Sequence, residues 1–420
     1  LARVLWKVQS SISGARGFAD QIARYFVPTV LAIAAVTSGL MLLDGQSVNT
    51  AMLTGLATLI VSCPCTFGLA IPLASAVAVS NALKKGIIFS SADVFDKVDS
   101  FDIVALDKTG TLSTGQMVVA KALGPPETVP YAAAVERNSG HPIARAVAKL
   151  NNEYHAEKLV IHPGRGATAL VNGHEVAVGS KTLFNTLHWN IPEEFSKLAE
   201  DAKPYEGVVS YVGWGSKARG AIITHDQARQ EWRNILERLR NRVQVVLLTG
   251  AEHPGEYESY VDEVYAGVPP EAKAAVIRQL RSKGKVVMIG DGTNDAPAIA
   301  AADIGIAFGA PTALAIDAAD VIIPGKRLEW IFDAFDLIST TRRRIRQNLG
   351  WALLYNAIAI PLALTGYLNP LFAALAMSSS SLLVIWNSNR PIGGNEAPGL
   401  AHNELRTDLQ AMVRATQEPE

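Results

Sequence analysis

Phe101-Asp-Ile-Val-Ala-Leu106 runs directly into Asp107-Lys-Thr-Gly-Thr-Leu-Ser-Thr-Gly115, and the fold is decided at this junction. The apolar run reads as a buried strand that stops at a carboxylate. Two later runs stop in the same manner: Val243 to Leu248 in Thr249-Gly250, and Val286 to Ile289 in Gly290-Asp291. Helical patterns such as Gln227–Arg240 and Glu271–Lys283 lie between them. Strand and helix in alternation predict a parallel, doubly wound sheet, whose ligands bind beyond the carboxyl ends of the strands. Chemistry is therefore expected where Asp107, Thr249-Gly250 and Gly290-Asp291 stand.

A carboxylate in such a place can attack a phosphoryl group and become an acyl phosphate. Its charge, added to that of the incoming phosphate, calls for a divalent cation and positive partners. Asp291, in Gly290-Asp-Gly-Thr-Asn-Asp-Ala-Pro297, is the natural second carboxylate for Mg²⁺, with Asp295 as support. Lys273 begins a helix after Pro269-Pro270 and is suited to neutralise phosphate oxygens, while Thr249 can donate a hydroxyl hydrogen bond.

Between the first and second strands, from about Ser113 to Asp226, the texture changes. A helix is expected at Pro142–Asn151. A hairpin is expected at Val171-Asn-Gly-His174, because Asn-Gly suits a type I′ turn. A second hairpin is expected from Val208–Val212 and Lys217–Ile223, so this block reads as an α+β insertion in the sheet domain.

Further out the chain is apolar. Phe26 to Leu43 and Gly45 to Leu83 contain no Asp, Glu, Lys or Arg, and Leu349 to Tyr367 and Leu371 to Trp386 are two more such runs. A span needs about 20 apolar residues. Four membrane spans are expected, the second continuing as a helix beyond the bilayer. Lys84-Lys85, Arg342-Arg-Arg344 with Arg346, and Arg390 border these runs, whereas the turns at Asp44–Asn49 and Leu368-Asn369 carry no Lys or Arg. The positive-inside rule then places both termini and residues 84 to 346 in the cytosol.

The bulk numbers agree. Over 420 residues, 18% are charged and mean hydropathy is +0.18, below the roughly 25% charge of soluble domains. Such a length predicts several folding units. The balance of 38 Lys+Arg against 39 Asp+Glu excludes a whole-chain electrostatic nucleic-acid binder. The two cysteines, Cys63 and Cys65, flank a single proline; so small a ring strains a disulfide, so free thiols are expected. A secreted domain built on disulfides is excluded. Within an apolar run, two thiolates form a soft site suited to Cu(I), Zn²⁺ or Cd²⁺.

D-K-T-G-T-L-S-T-G followed by G-D-G-T-N-D-A-P resembles the phosphorylation domain of P-type ATPases, a branch of the haloacid-dehalogenase fold. The resemblance implies that Asp107 is phosphorylated, with Lys108, Thr109, Thr249, Gly250, Lys273 and Asp295 around it. Mg²⁺ would be held by Asp107, Asp291 and the Thr109 carbonyl. Related phosphatases usually have an acid two residues after the nucleophile; Thr109 stands there instead, which implies a longer-lived acyl phosphate. One departure is Thr249-Gly250-Ala251-Glu252 where the family usually has T-G-D: either Glu252 substitutes or turnover is impaired. Asp226-x-x-Arg229 resembles the family's hinge.

Glu136-Arg-Asn-Ser139-Gly-His141-Pro142 and Gly164-Arg-Gly166 resemble the nucleotide motifs of heavy-metal (type IB) members, which implies ATP binding through Glu136, Ser139, His141, Pro142, Gly164, Gly166 and Gly179. Asn348-x6-Tyr355-Asn356-x4-Pro361 and Pro370-x6-Met377-x2-Ser380-Ser381-x5-Asn387 are similar to the copper(I) branch. Cys63, Cys65 and Met377 would then be Cu(I) ligands, with Tyr355, Asn356 and Ser381 as near neighbours. A zinc or cadmium pump would be expected to carry a Lys and an Asp in these spans.

The implied fold is multi-domain: α-helical membrane spans plus a haloacid-dehalogenase-like α/β parallel-sheet phosphorylation domain with an inserted α+β nucleotide-binding domain. Boundaries are expected at 1–87 (linker and two spans), 88–112 and 227–340 (phosphorylation domain), 113–226 (nucleotide-binding domain), 341–390 (two spans) and 391–420 (polar tail). The implied activity is ATP-driven Cu(I) export across a membrane, in a multi-pass protein of a bacterial plasma membrane that receives copper from a small chaperone or thiol carrier. The alternatives are a soft divalent metal pump and a non-pumping membrane-anchored phosphatase or regulatory remnant. Family members also have an actuator domain with a T-G-E loop and further spans. No T-G-E and no C-x-x-C occur here, so the chain is expected to start at the linker after the actuator domain and to need that region, in cis or in trans, for a full cycle.

Overall fold

The computed structural model describes residues 16–63, 65–97, 100–202, 207–325 and 327–391. The chain divides into two compact units, Leu1–Ser100 with Ala319–Glu420, and Phe101–Ala318.

In the second unit, strands β1 (Ile103–Asp107), β8 (Gln244–Leu248), β9 (Glu263–Tyr265), β10 (Val286–Gly290) and β11 (Ile304–Gly309) form a parallel array in the order β11-β10-β1-β8-β9. Every residue of β1, β10 and β11 is buried, which is why these strands read as unbroken apolar runs with no alternation. The chain goes from β1 outward to β8 and β9, then returns to lay β10 beside β1. The order reverses between β1 and β10, so their carboxyl ends frame a crevice. Helix Pro270–Arg281 starts on a proline and buries Lys273, Ala274, Ile277 and Leu280, one stripe of a 3.6-residue period.

The insertion is an antiparallel sheet in the order β2-β7-β6-β5-β4-β3, with β2 at Ser113–Leu123, β3 at Ala156–His162, β4 at Gly166–Val171, β5 at His174–Gly179, β6 at Val208–Trp214 and β7 at Ala218–Ala228. Asn172 and Gly173 join β4 to β5 with φ of 49° and 79°, the two positive values a type I′ turn needs. Tyr131, Val135 and Val147 pack on Val176, Val178 and Ile222 in its core. The helix expected from Gln227 starts only at Trp232. Pairing with β2 (Ser113 opposite Ala228, Met117 opposite Asp226) keeps the preceding residues extended.

Among the described residues the first unit holds five long helices: α1 (Arg16–Leu43), α2 (Val48–Val61), α3 (Cys65–Lys84), α4 (Trp330–Leu364) and α5 (Pro370–Asn389). The run Gly45–Leu83 is not one span with an extension. It breaks after Val61, because Ser62 caps α2 and Cys63 precedes a proline, where helical backbone is disfavoured. Among the described residues one helix, Pro370–Asn389, passes as long and apolar enough to cross a membrane; Val48–Val61 is a shorter apolar helix, and Pro28–Leu43 and Gly68–Lys84 are apolar stretches within α1 and α3. The third run has no separate helix: it is the distal part of α4, whose proximal part is charged. Even so, Leu40, Met52, Leu56, Leu354, Ile358 and Trp386 are all exposed, an apolar surface far beyond scattered soluble-protein exposure.

Polar side chains hold these helices together inside. Asn348 donates to Ser388 Oγ (2.9 Å) and to the Ala70 carbonyl (3.4 Å), and Asn387 donates to Asn348 Oδ1 (2.9 Å). Away from water such bonds have few competitors. The polar tail expected at 391–420 lies outside the described residues except for Pro391, as does the linker before Arg16.

Candidate active site

Asp107 ends β1 at the crevice, 4% exposed. Beyond it the backbone is not helical: Thr109 is extended (φ −72°, ψ 128°) and Gly110 turns left-handed at φ 73°. A Cβ on Gly110 would lie 1.6 Å from Asp291 Oδ2. Glycine is required here twice, for its φ and for the carboxylate packed against it. Thr109 is exposed and Lys108 is buried.

Lys273 Nζ donates to Asp107 Oδ1 and to Asp295 Oδ1, both at 2.6 Å. Carboxylate oxygens of Asp107, Asp291 and Asp295 all lie within 4.8 Å of one another. Lys273 thus bridges two of the three acids. Burial first, then Asp295, pushes the Asp107 carboxyl up to about 6; burial, then Asp107 and Asp295, pushes Asp291 up to about 7. Burial depresses Lys108, opposed by Asp226 and Asp107. The donor set is all oxygen and short of positive charge, which fits Mg²⁺, a hard ion that takes one or two carboxylates and completes its shell with phosphate and water.

Thr249 is buried at the end of β8, where its Oγ1 accepts the Ala251 N–H (3.1 Å), leaving its own proton to donate. Gly250 and Glu252 are exposed. Glu252 lies outside the cluster formed by Asp107, Asp291 and Asp295.

The loop from Lys108 to Leu112 is gripped from the two strands that join the insertion to the sheet domain. Ser113 Oγ accepts the Gly110 N–H (3.1 Å) and donates to Asp226 Oδ2 (2.5 Å). Arg229, also buried, donates to the Gly110 and Thr111 carbonyls. The sequence marked Asp226 and Arg229 only as a hinge; their reach into this loop was not legible there.

The residues expected to bind nucleotide lie in the insertion. Glu136 ends a helix and is buried; burial raises its carboxyl to about 7. His141 caps the helix Pro142–Ala148, its Nδ1 accepting the Ile143 N–H (3.3 Å), while Ser139 Oγ accepts the His141 N–H (3.4 Å). Gly166 and Gly179 are register partners across β4 and β5. A Cβ on either would meet the opposite backbone, at 2.1 Å from the Val178 carbonyl or 2.2 Å from that of Arg165. Strand-to-strand approach therefore accounts for these two glycines without a ligand, whereas Gly164 (φ 70°) is exposed and faces open space.

Glu136 gives a pH-dependent expectation. A carboxyl raised from 4.5 to about 7 contributes stability fully below pH 4.5 and loses it as pH rises through 7. Glu136→Gln should therefore stabilise the chain by about 2–3 kcal/mol at pH 8 and change little at pH 4.5. Thermal melts at the two pH values test this, and a larger gain at the lower pH contradicts it.

In the first unit Cys63 is half-buried and disulfide-bonded, against the expectation of free thiols; the side chain of Cys65 lies outside the described residues. One residue separates the two cysteines, so oxidation competes with metal for the same sulfur, and a soft-metal site requires the reduced state. The Tyr355 hydroxyl and Asn356 Oδ1 are buried without a hydrogen-bond partner among the described residues. Tyr355 packs against the buried cluster of Ala57, Val61, Ala359, Ala363 and Ala373. Ser381 Oγ is 3.3 Å from Thr66 Oγ1, which ties α5 to the start of α3; Thr66 was not singled out from the sequence, though its place beside Cys65 was a signal. Met377 is half-buried on α5.

Residues 101–303 match the haloacid dehalogenase-like hydrolase family. The chain is 34% identical over 411 residues to a probable copper-exporting P-type ATPase V of Mycobacterium tuberculosis, covering 93% of this chain and 53% of that protein. It is 34% identical over 414 residues to a copper-exporting P-type ATPase of Staphylococcus aureus, covering 93% and 50%. A zinc-transporting PIB-type ATPase crystallised in its E2.Pi state superposes with a TM-score of 0.74 at 28% identity, over 92% of this chain and 66% of that one. The chain spans about half the length of the curated relatives it matches. This likeness runs through both the carboxylate-lined sheet and the apolar helices, so over nearly its whole length the chain is similar to metal-transporting P-type ATPases.

Proposed function

We propose that this chain supplies the ATP-hydrolysing centre and part of the ion path of a copper(I)-exporting pump. The observation that carries the reading is Lys273 bridging Asp107 and Asp295, with Asp291 alongside, at the reversal point of the sheet. An Asp107 oxygen attacks the γ-phosphorus of ATP; an O–P bond forms, the bond to the β-phosphate oxygen breaks, and ADP leaves. Water later cleaves the acyl phosphate, releasing inorganic phosphate and restoring the carboxylate. Lys273 and the Thr249 hydroxyl stabilise the charge on the phosphoryl oxygens during transfer. Asp107, Asp291 and the Thr109 carbonyl would hold Mg²⁺, which when bound offsets the negative charge gathered there.

In this reading residues 88–112 and 227–340 are the phosphorylation domain and 113–226 the nucleotide-binding domain. ATP lies against Glu136, Ser139, His141, Pro142, Gly164, Gly166 and Gly179. Residues 1–87 and 341–390 supply membrane helices. The catalytic stretch faces the cytosol of a bacterium, copper arrives on a chaperone or thiol carrier, and an actuator region acts in cis or in trans. Cu(I) rests on Cys63, Cys65 and Met377, beside Tyr355, Asn356 and Ser381. The unpartnered Tyr355 hydroxyl and Asn356 oxygen support this, since buried polar atoms in helical bundles ordinarily find partners. The zinc reading draws on the superposition with a zinc-transporting relative, but the apolar part of α4 and all of α5 lack Lys and Asp.

The test is made on the full chain, reduced and in detergent. It should take one Cu(I) from a chromophoric chelator, lose that capacity in Cys63→Ser, and acquire an acid-stable, hydroxylamine-labile label from γ-labelled ATP. Uptake of Zn²⁺ in place of Cu(I) decides for the divalent pump. Phosphatase turnover with no trapped label decides for the non-pumping remnant.

A further inference from the structure

We infer that Thr66 is a positioning residue of the soft-ion pocket. Its hydroxyl, bonded to Ser381, holds the turn that carries Cys63 and Cys65 level with Met377, with Cu(I) resting on those three sulfurs as proposed above.

Thr66 is the second residue of α3 and is 4% exposed. Its Oγ1 lies 3.3 Å from Ser381 Oγ on α5, and the two hydroxyls share one hydrogen bond. Other hydroxyls in these helices turn back on their own backbone. Thr58 donates to the Thr54 carbonyl (2.8 Å), Ser62 to that of Thr58 (2.7 Å), Ser378 to that of Ala374 (2.9 Å) and Ser379 to that of Leu375 (2.8 Å). Thr66 has no such acceptor, because four residues back stands Ser62, the cap of α2 and outside the helix that Thr66 belongs to. Ser381 does have a helical carbonyl behind it, at Met377, and still turns to Thr66. Packing does not explain the Thr66 hydroxyl. Buried Ala70, Ala74, Ala78 and Ala82 follow it at four-residue intervals, so this stripe of α3 needs no more than a methyl at each place.

What the bond holds follows from the run of the helices. Asn348 on α4 donates to the Ala70 carbonyl and to Ser388 Oγ. Ala70 comes four residues after Thr66, and Ser388 seven after Ser381, so α3 and α5 advance in the same direction. Backing up three residues from Thr66 reaches Cys63. Backing up four from Ser381 reaches Met377 on the same face of α5, about 6 Å away. Helical backbone from α2 does not hold the sulfur-bearing turn, since Ser62 ends that helix and Cys63 precedes a proline. The first side-chain tie beyond the break, among the described residues, is Thr66 to Ser381. It fixes the height and approach of the thiolates against the thioether.

The test uses the full chain, reduced and in detergent, with Cu(I) supplied from a chromophoric chelator. Thr66→Ala continues the alanine stripe and removes the cross-helix bond. Its Kd for Cu(I) should rise by about 3–10-fold, the worth of one hydrogen bond between membrane helices. Cu K-edge absorption should pass from three sulfur neighbours to two as Met377 drops out. Thr66→Ser keeps the hydroxyl and should restore both readings. In a Ser381→Ala background, Thr66→Ala should change the Kd by less than about twofold, because the bond is already gone. Three sulfur neighbours and an unchanged Kd in Thr66→Ala overturn the inference. Failure of serine to restore them also overturns it, because side-chain shape would then be the cause. Should Thr66→Ala not fold, Ser381→Ala breaks the same bond from α5, and retention of all three sulfurs there overturns the inference equally. An unvaried chain that takes no Cu(I), or holds it without a thioether, overturns the reading of the pocket and this inference with it.

Discussion

In Asp107→Asn, acid-stable label from γ-labelled ATP should disappear, a loss on the order of 10⁴-fold or more, since no neighbouring group can replace a nucleophile. The same substitution should make the protein more stable at neutral pH. Burial, and then Asp295, lifts the Asp107 carboxyl from 3.8 to about 6, so the folded chain holds that proton more tightly than the unfolded one. Its contribution to stability is complete below pH 3.8, declines as pH climbs to about 6, and stays lost above. An amide removes the buried charge and can still accept from Lys273, which keeps Asp295 as a charged partner at 2.6 Å. A gain of about 1–2 kcal/mol at pH 7.5, roughly 3–5 °C in Tm, is expected, with no gain at pH 4. Inactivity together with a lower Tm at pH 7.5 would indicate that Asp107 is a structural anchor and would count against its proposed role. A gain in stability on losing the reactive group marks strain kept for chemistry.

The centre of the molecule was legible because its physics is local. A buried parallel strand must be apolar throughout, so β1, β8 and β10 showed as runs, and the polar residues that end them had to be at the crevice. The Asn172-Gly173 turn was legible for the same reason, since few other pairs adopt two positive φ values. What escaped depends on partners distant in sequence. Uncharged length alone does not say whether Gly45–Leu83 is one helix or two; the division comes from the backbone at Ser62 and Cys63. Gly166 and Gly179 were marked only through a motif; that each is also required by the approach of the other's strand is a matter of register that no local pattern encodes. Glu252 stood next to the position of an absent acid, yet one residue of displacement after β8 leaves it exposed. The fork of Arg229 spans 118 and 119 positions to its acceptors, and nothing in the motif itself announced it.

Gly110→Ala isolates the geometry of the centre from its charges, because it alters no titrating group. The residue sits at φ 73°, where an L side chain costs about 1–2 kcal/mol. That strain alone would be tolerable. The added methyl, however, would occupy the place of Asp291 Oδ2, 1.6 Å away, and one of the two must move by more than 1 Å. If the loop moves, the backbone beyond Asp107 leaves the fork of Arg229; if Asp291 moves, the three-carboxylate cluster opens. Either way phosphorylation should fall by about 10²–10³-fold or more, and the Mg²⁺ concentration for half-maximal labelling should rise about tenfold. Binding of a fluorescent ATP analogue to the insertion should be unchanged, because Glu136 and His141 belong to other elements. Glycine-to-serine at the same position should behave like alanine, since the clash is with the first atom of any side chain. A variant that labels at the normal rate with the normal Mg²⁺ requirement would show that Asp291 does not rest on Gly110 in the working protein, and would remove the steric basis for placing the cation between Asp107 and Asp291.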